Sequence, residues 1–246
     1  MHEYGNSIYR EKDFRDDGGG IRRTLGEGRR PEAAKYMDEL SPAAQIIGAV
    51  NTIVNDDGKL TGYITDGEGF VNNLKDHGID IKGRKITVAG GGGAATAIQV
   101  QCALDGAREI TIFNKKDDFF ERTLETAEKI RKAVPECVVN VYDIDDVAKM
   151  TEEIKSSDIF ANATIVGMKP LDDQSVVKDT SAFRPGLVVA DAVYNPQETK
   201  LLREAKEAGC TCIGGKGMLL WQGVAAFKLY TGQDMPVDEV KELYFK

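Results

Sequence analysis

Two stretches of this sequence carry residues whose types and spacing could do chemistry, and a third could hold what they act on. The first is Val88-Ala89-Gly90-Gly91-Gly92-Gly93-Ala94-Ala95-Thr96-Ala97-Ile98, in which Gly90, Gly92 and Ala95 give a G-x-G-x-x-A spacing. Glycines let the backbone turn sharply and approach a pyrophosphate with no Cβ in the way. A helix that follows aims its free N–H groups and positive dipole end at the phosphate. The motif also fits a turn that binds nothing, so its flanks matter. The second stretch is Thr65-Asp66-Gly67-Glu68-Gly69, whose carboxylate is a candidate site and equally a helix cap or turn former. Asn51 stands in the same position, as a candidate or as a partner for hairpin backbone. The third is Asn114-Lys115-Lys116-Asp117, where Asp117 offers an acceptor for the ribose hydroxyls of NAD. Lys115 and Lys116 offer cations for the extra phosphate of NADP, and a solvated turn is the plain alternative.

The elements needed to position these residues are legible. Lys85-Ile86-Thr87-Val88 reads as a strand before the glycine turn, and Gln99 to Leu104 as a helix after it, closed by Gly106. From there strands near 85–89, 109–113, 138–142, 158–163, 187–192 and 210–214 alternate with helices near 94–105, 118–133, 145–156 and 197–208. Runs such as Leu187-Val188-Val189-Ala190 are apolar throughout, as in a parallel sheet covered on both faces. The expected fold is therefore α/β, a doubly wound parallel Rossmann sheet, with a second, shortened α/β domain. The candidate ribose cluster follows the second strand. Asn162 to Met168 and Asp191 to Pro196 follow the fourth and fifth, where ligands bind in such sheets.

Upstream, Pro31 to Met37 predicts a helix with proline in its first turn, and Ser41-Pro42-Ala43-Ala44-Gln45 a second, capped by Ser41. Residues 49–54 and 59–63 predict a hairpin around Asn55-Asp56-Asp57-Gly58, and Phe70 to Lys75 a short helix. Residues 1–32 mix charge with Gly18-Gly19-Gly20 and read as loop or disorder. Two helices, Gly217 to Tyr230 and Val237 to Phe245, close the chain.

Composition narrows the function classes. The chain has 246 residues, 41% hydrophobic and 29% charged, which suits a globular, cytoplasmic protein of one large or two small domains. A net charge of −8 argues against a nucleic-acid partner, and no apolar run suits a membrane span or signal peptide. Cys102, Cys137, Cys210 and Cys212 lack zinc-site spacing and read as buried free thiols, so no metal is expected. The two histidines, His2 and His77, make histidine-based catalysis improbable; His77 precedes Gly78 in a turn.

Taken together, several motifs resemble the shikimate dehydrogenase family: Ser41-Pro42, Gly48-Ala49-Val50-Asn51-Thr52, Thr65-Asp66-Gly67, the glycine loop, Asn162-Ala163-Thr164, Gly167-Met168, Val193-Tyr194-Asn195-Pro196 with Thr199, and Gly217-Met218-Leu219 with Gln222. Their order and spacing hold from about Tyr36 to Phe245. Asn114 to Asp117, Phe119-Phe120 and Met218 to Gly223 resemble the quinate/shikimate branch, which uses NAD or NADP. The resemblance implies a reversible oxidation, shikimate to 3-dehydroshikimate or quinate to 3-dehydroquinate, in the shikimate pathway of aromatic amino acid metabolism. It implies that a lysine handles the alcohol proton and that an aspartate, matched by Asp66, holds the lysine and the substrate hydroxyls. Asn51 and Gln222 match residues that hydrogen-bond those hydroxyls. Gly91, Gly92, Gly93 and Ala94 match the pyrophosphate loop, and Asn114, Lys115, Lys116 and Asp117 the adenosine-ribose contacts. Ile165, Ala192, Val193, Tyr194, Asn195 and Gly215 match the nicotinamide side. Monomer and homodimer are both left open.

The departures lie upstream. No Met-Pro-x-Lys stretch, the family's lysine motif, occurs in the chain. Counting back from Asp38-Glu39-Leu40 without a gap puts Arg30 at the lysine position. Arginine stays protonated and is a poor proton acceptor. Lys35 is a candidate substitute base, disfavoured because it falls on the predicted helix. The family's early serine pair, which holds the substrate carboxylate, has no counterpart, since Ser7 is the only serine before Ser41. These departures predict an incomplete or rearranged amino-terminal half. The expected division is 1–66 for a reduced substrate domain, 67–214 for the NAD(P) domain and 215–246 for helices returning to the substrate domain. The alternative is a non-catalytic NAD(P)-binding pseudoenzyme or fragment.

Overall fold

The structure, a computed structural model, describes residues 22–24, 30–117 and 120–244. The six apolar runs from Lys85 onward each form a strand: β5 (Lys85–Ala89), β6 (Glu109–Asn114), β7 (Val138–Asp143), β8 (Ile159–Asn162), β9 (Val188–Asp191) and β10 (Thr211–Ile213). All neighbours pair in parallel, in the order β10-β9-β8-β5-β6-β7. Side-chain alternation explains why both faces need cover. Ile86, Val88, Ile110, Ile112, Ile159 and Ala161 enter one core, while Ala89, Phe113, Phe160 and Val189 enter a second on the opposite face. The chain winds outward in opposite directions from β5 and β8. Their carboxyl ends therefore bound a crevice in which α/β sheets of this order bind ligands.

The crossovers are α4 (Gly93–Leu104), α5 (Phe120–Ala133), α6 (Val147–Ser156) and α7 (Lys200–Glu207). Asp146 caps α6 by accepting from Lys149 N, and Thr199 caps α7 by accepting from Leu202 N. Below the sheet, Lys85 on β5 pairs with Glu153 on α6 at 2.7 Å and with Glu109 on β6 at 2.9 Å.

A second sheet has the order β1-β3-β4-β2, with β1 (Arg22–Thr24), β2 (Glu39–Leu40), β3 (Thr52–Asp56) and β4 (Lys59–Tyr63). The β3–β4 hairpin turns through Asp57 at φ 51° and Gly58 at φ 92°, the left-handed pair that suits a tight hairpin. Between these strands lie α1 (Arg30–Ala34) and α2 (Pro42–Ile47), the latter capped by the Ser41 hydroxyl accepting from Ala44 N. Buried Val50, Ile53 and Leu60 join the same core as Ile86 and Val88. The two sheets therefore share one apolar body.

Two helices bridge them. α3 (Asp66–Asp76) carries Phe70, Val71 and Leu74 into the shared core, and α8 (Gly215–Thr231) lies against it. At Gly69 the approach is so close that a Cβ would stand 2.7 Å from Gln222 N and from Met218 O, so only glycine allows it. α9 (Val237–Tyr244) ends the described chain. No described helix is long and apolar enough to cross a membrane.

Four expectations need correction. Residues 22–24 are not loop but a strand, with Arg22 opposite Val54 and Thr24 opposite Thr52; most of the remaining 1–32 stretch lies outside the described residues. The helix expected over 31–37 starts at Arg30 and stops at Ala34, because Asp38 to Leu40 turns into β2. The helix expected from Phe70 already begins at Asp66, held by α4 and α8 on either side. Cys102 and Cys137 are buried free thiols, but Cys210 and Cys212 are only half-buried.

Candidate active site

The glycine turn sits at the crevice because β5 ends there. Gly90 has φ 122°, a left-handed conformation, and a Cβ on it would stand 2.7 Å from the carbonyl oxygen of Ala163, which follows β8. The Gln99 side chain donates to Gly90 O at 3.0 Å and pins the turn to α4. A Cβ on Gly91 would collide with Asn114 and Thr123, whose side chains hydrogen-bond each other at 2.9 Å. Gly92 caps α4 and differs: no atom lies within 4 Å of where its Cβ would be. No packing contact requires a glycine at that point, and the open space lies at a helix N-terminus, whose free N–H groups favour an anion. Asn114 ends β6 half-buried, and Lys115, Lys116 and Asp117 follow it exposed. This arrangement fits a dinucleotide, with either acceptor or cations available for its adenosine ribose.

Across the crevice, the last residues of β8 and β9 are polar and in register, Asn162 opposite Asp191. Both are buried. Asn162 Nδ2 donates to Asp191 Oδ1 at 2.9 Å and to Val166 O at 3.0 Å, and Asn162 Oδ1 accepts from Thr164 N and Oγ1. Asp191 Oδ1 also accepts from Val193 N at 3.0 Å, and its Oδ2 from Thr199 Oγ1 at 2.6 Å. Burial pushes the Asp191 carboxyl up from its ordinary value against these hydrogen bonds. The pair thereby holds the loops after β8 and β9, leaving Ile165 68% and Tyr194 49% exposed. Ala192 is half-buried and Asn195 exposed, while the Val193 side chain is buried, so only its backbone can face a ligand. Gly215 is buried at the start of α8, where a Cβ would meet the carbonyl oxygens of Ala192 and Val193. It acts by close packing.

The third cluster centres on Asp66, the first residue of α3, buried with 6% exposure. Asn51, also buried, donates from Nδ2 to Asp66 Oδ1 and to Thr65 Oγ1, each at 3.1 Å. Asn51 Oδ1 accepts from Thr65 N and from Thr52 Oγ1, so the amide is fixed from both sides. Arg30, at the start of α1, pairs through Nη1 with Asp66 Oδ2. The position counted back to the family lysine does reach the aspartate. Lys35 does not: its side chain is 69% exposed and its ammonium pairs with Glu32. His77 ends α3, with Nδ1 against Asn73 O. Gln222 is half-buried on α8 with its backbone against Gly69, one turn after Asp66. Among the described residues no hydrogen bond joins its amide to Asp66 or Asn51. A cavity of about 460 Å³ adjoins this cluster at Thr65, lined also by Tyr63, Glu68, Gln101 and Leu229, but neither Asp66 nor the glycine turn lines it.

Sequence reasoning missed the anchoring roles of Asn162, Asp191, Thr199 and Thr65. A signal was present: each of β8 and β9 is apolar until one polar residue at its carboxyl end. Which partner each would find was not.

The chain is similar to known proteins along most of its length. Residues 215–243 match the family described as Shikimate 5'-dehydrogenase C-terminal domain. The shikimate dehydrogenase (NADP(+)) of Listeria monocytogenes serotype 4b (strain F2365) is 52% identical over 211 residues, 86% of this chain and 72% of that protein. Among solved structures, shikimate 5-dehydrogenase from Listeria monocytogenes in complex with shikimate and NAD matches with a TM-score of 0.88 at 49% identity, over 90% of this chain and 76% of that one. Quinate dehydrogenase from Corynebacterium glutamicum in complex with NAD matches with a TM-score of 0.83 at 27% identity, over 96% and 80% of the two chains.

Proposed function

This chain belongs to the shikimate dehydrogenase family, and we propose that it catalyses the reversible NAD(P)-dependent oxidation of shikimate to 3-dehydroshikimate and of quinate to 3-dehydroquinate. The observation that carries this reading is the junction of α3 with α4. Gly67, directly after Asp66, lies against the backbone of Ala97, so the Asp66–Asn51 cluster is tied to the helix whose N-terminus forms the phosphate cradle. When bound, the nicotinamide cofactor exchanges a hydride with the ring carbon that bears the secondary alcohol.

The chain's own residues do the rest. Gly91, Gly92, Gly93 and Ala94 hold the pyrophosphate by backbone N–H groups at the start of α4. Asn114, Lys115, Lys116 and Asp117 meet the adenosine ribose, admitting NAD or NADP. Ile165, Ala192, Val193, Tyr194, Asn195 and Gly215 form the nicotinamide wall, fixed by Asn162 and Asp191. Asn51, Asp66 and Gln222 pair the substrate hydroxyls. A site built on such pairs rejects analogues that lack the hydroxyls, because its buried polar groups would then stay unpaired. Residues up to Asp66 with the helices from Gly215 form the substrate side, and 67–214 the cofactor side. The comparisons lend no support to a non-catalytic reading.

The test is formation of reduced cofactor from NAD and from NADP with shikimate and with quinate, alongside cofactor titration calorimetry. Turnover with either acid is expected. Cofactor binding without turnover of either acid would sink the proposal.

A further inference from the structure

We propose that the cavity of about 460 Å³ beside Thr65 is a second ligand site, apart from the crevice, for a small primary amine with an apolar body. Its occupant tunes shikimate turnover through Thr65 and Asn51. That consequence, though not the binding itself, rests on the dehydrogenase reading above.

Elements from both halves of the molecule meet at this cavity. The start of α2, the end of β4, α3, α4 and the end of α8 each supply part of its wall. Its volume falls within the roughly 300–1,000 Å³ of small-molecule sites, which combine apolar walls with a few placed polar groups. Pro42, Ile64, Leu104 and Leu229 supply the apolar wall. α3 screens the cavity from the substrate cluster. Asp66 and Glu68 lie two positions apart on it, about 200° around a helix, so they face opposite sides.

Charge selects the ligand. Among the described residues, Glu68 is the one charged side chain in the lining. It sits at the rim, open to solvent on one side and partly desolvated on the other. Lys75, the cation that acts on it, pairs instead with Asp105 at 4.0 Å, and Gln101 Nε2 also donates to Asp105 at 3.1 Å. Partial burial and then the charge of Asp105 push the Glu68 carboxyl up from its ordinary value, and an ammonium at the rim offsets both. An anion is repelled there. A bare metal ion finds no group of three ligating side chains among the described residues. The Tyr63 hydroxyl on the same wall can accept a second ammonium N–H. Thr65 links the cavity to the substrate cluster. It lines the wall, its N donates to Asn51 Oδ1 at 3.0 Å, and its Oγ1 accepts from Asn51 Nδ2 at 3.1 Å. Asn51 in turn donates to Asp66. A ligand against Thr65 therefore acts on the amide that holds Asp66, and the coupling is reciprocal between amine and substrate affinity.

The probe is phenethylamine, a ring bearing a primary ammonium, with phenethyl alcohol and phenylpropionate as its neutral and anionic counterparts. Calorimetry on the wild-type chain should show saturable binding of the amine, about fivefold weaker binding of the alcohol and none of the acid. Glu68→Gln should weaken the amine about fivefold and leave the alcohol, the melting temperature and the turnover without amine unchanged. Saturating NAD should leave amine affinity within about twofold, whereas the amine should change KM for shikimate by about twofold or more. No saturable binding at millimolar amine, equal binding by Glu68→Gln, or an alcohol as tight as the amine overturns the site. Displacement of the amine by NAD places it in the crevice and overturns the site as well. Binding as expected with an unchanged KM for shikimate overturns the link through Thr65. Binding as expected in a chain that turns over neither acid leaves the site standing while the dehydrogenase reading falls.

Discussion

The glycine turn at the crevice is one contiguous stretch. Gly90 to Ala94 lie at the crevice, and their geometry follows from a strand, a turn at φ 122° and a helix start. The substrate end has no such stretch. Asp66 meets Asn51 across 15 positions and Arg30 across 36. A backbone cradle tolerates change in side chains as long as the glycines remain. A side-chain cluster depends on every residue in it, as the pair of Arg30 with Asp66 shows. Local backbone pattern thus makes one end legible in the sequence, while the other depends on packing.

Asp66→Asn should break that comparison most sharply. We expect turnover to fall by about 10²-fold or more, with NAD and NADP affinity nearly unchanged by calorimetry. A large loss of cofactor binding would mean that the two ends are not separable. Gly92→Ala probes the other end. Because no atom lies within 4 Å of the new Cβ, the melting temperature should move little while cofactor affinity falls on the order of tenfold, about 1.4 kcal/mol. Gly91→Ala should lower both, since its Cβ meets Asn114 and Thr123. Equal effects of the two changes in a thermal melt would contradict this division.

Asp191→Asn should act between the ends. It places an amide where a carboxylate accepts from Asn162, Val193 and Thr199, costing about 1–3 kcal/mol of stability and raising KM for the cofactor more than it lowers kcat. Steady-state kinetics that show only a kcat loss would instead assign Asp191 a part in the reaction.

Glu153 should matter least for turnover and most for acid stability. Burial alone would raise its carboxyl, but hydrogen bonds from Lys149 and Lys85 outweigh that and hold it below the ordinary value of 4.5. A carboxyl lowered in the folded state contributes stability that is present above the unfolded value and is lost as pH falls through the folded one. Glu153→Gln should therefore show a shallower loss of melting temperature below about pH 4.5 than the wild type. An unchanged acid limb would show that the pair with Lys85 contributes nothing.

Much of this was readable before folding. The six strands of the large sheet announce themselves because a strand buried on both faces must be apolar at successive positions, as in Val188 to Ala190. The Ser41-Pro42 helix start and the Asp57-Gly58 turn are equally local. β1 was not readable: Arg22 to Thr24 are polar and charged, and they become a strand only because β3 offers its edge. Nor was the start of α3 at Asp66, which depends on α4 and α8 closing over Gly67 and Gly69.

The amino-acid sequence by itself determined the strand–turn–helix order, the glycine turn and the family, since these depend on backbone preferences, periodicity and short motifs. Only the tertiary structure decided that Arg30 reaches Asp66 while Lys35 does not, and that Asn162 finds Asp191. A hydrogen bond between residues far apart in the chain is set by where whole elements pack, and no local pattern encodes that distance.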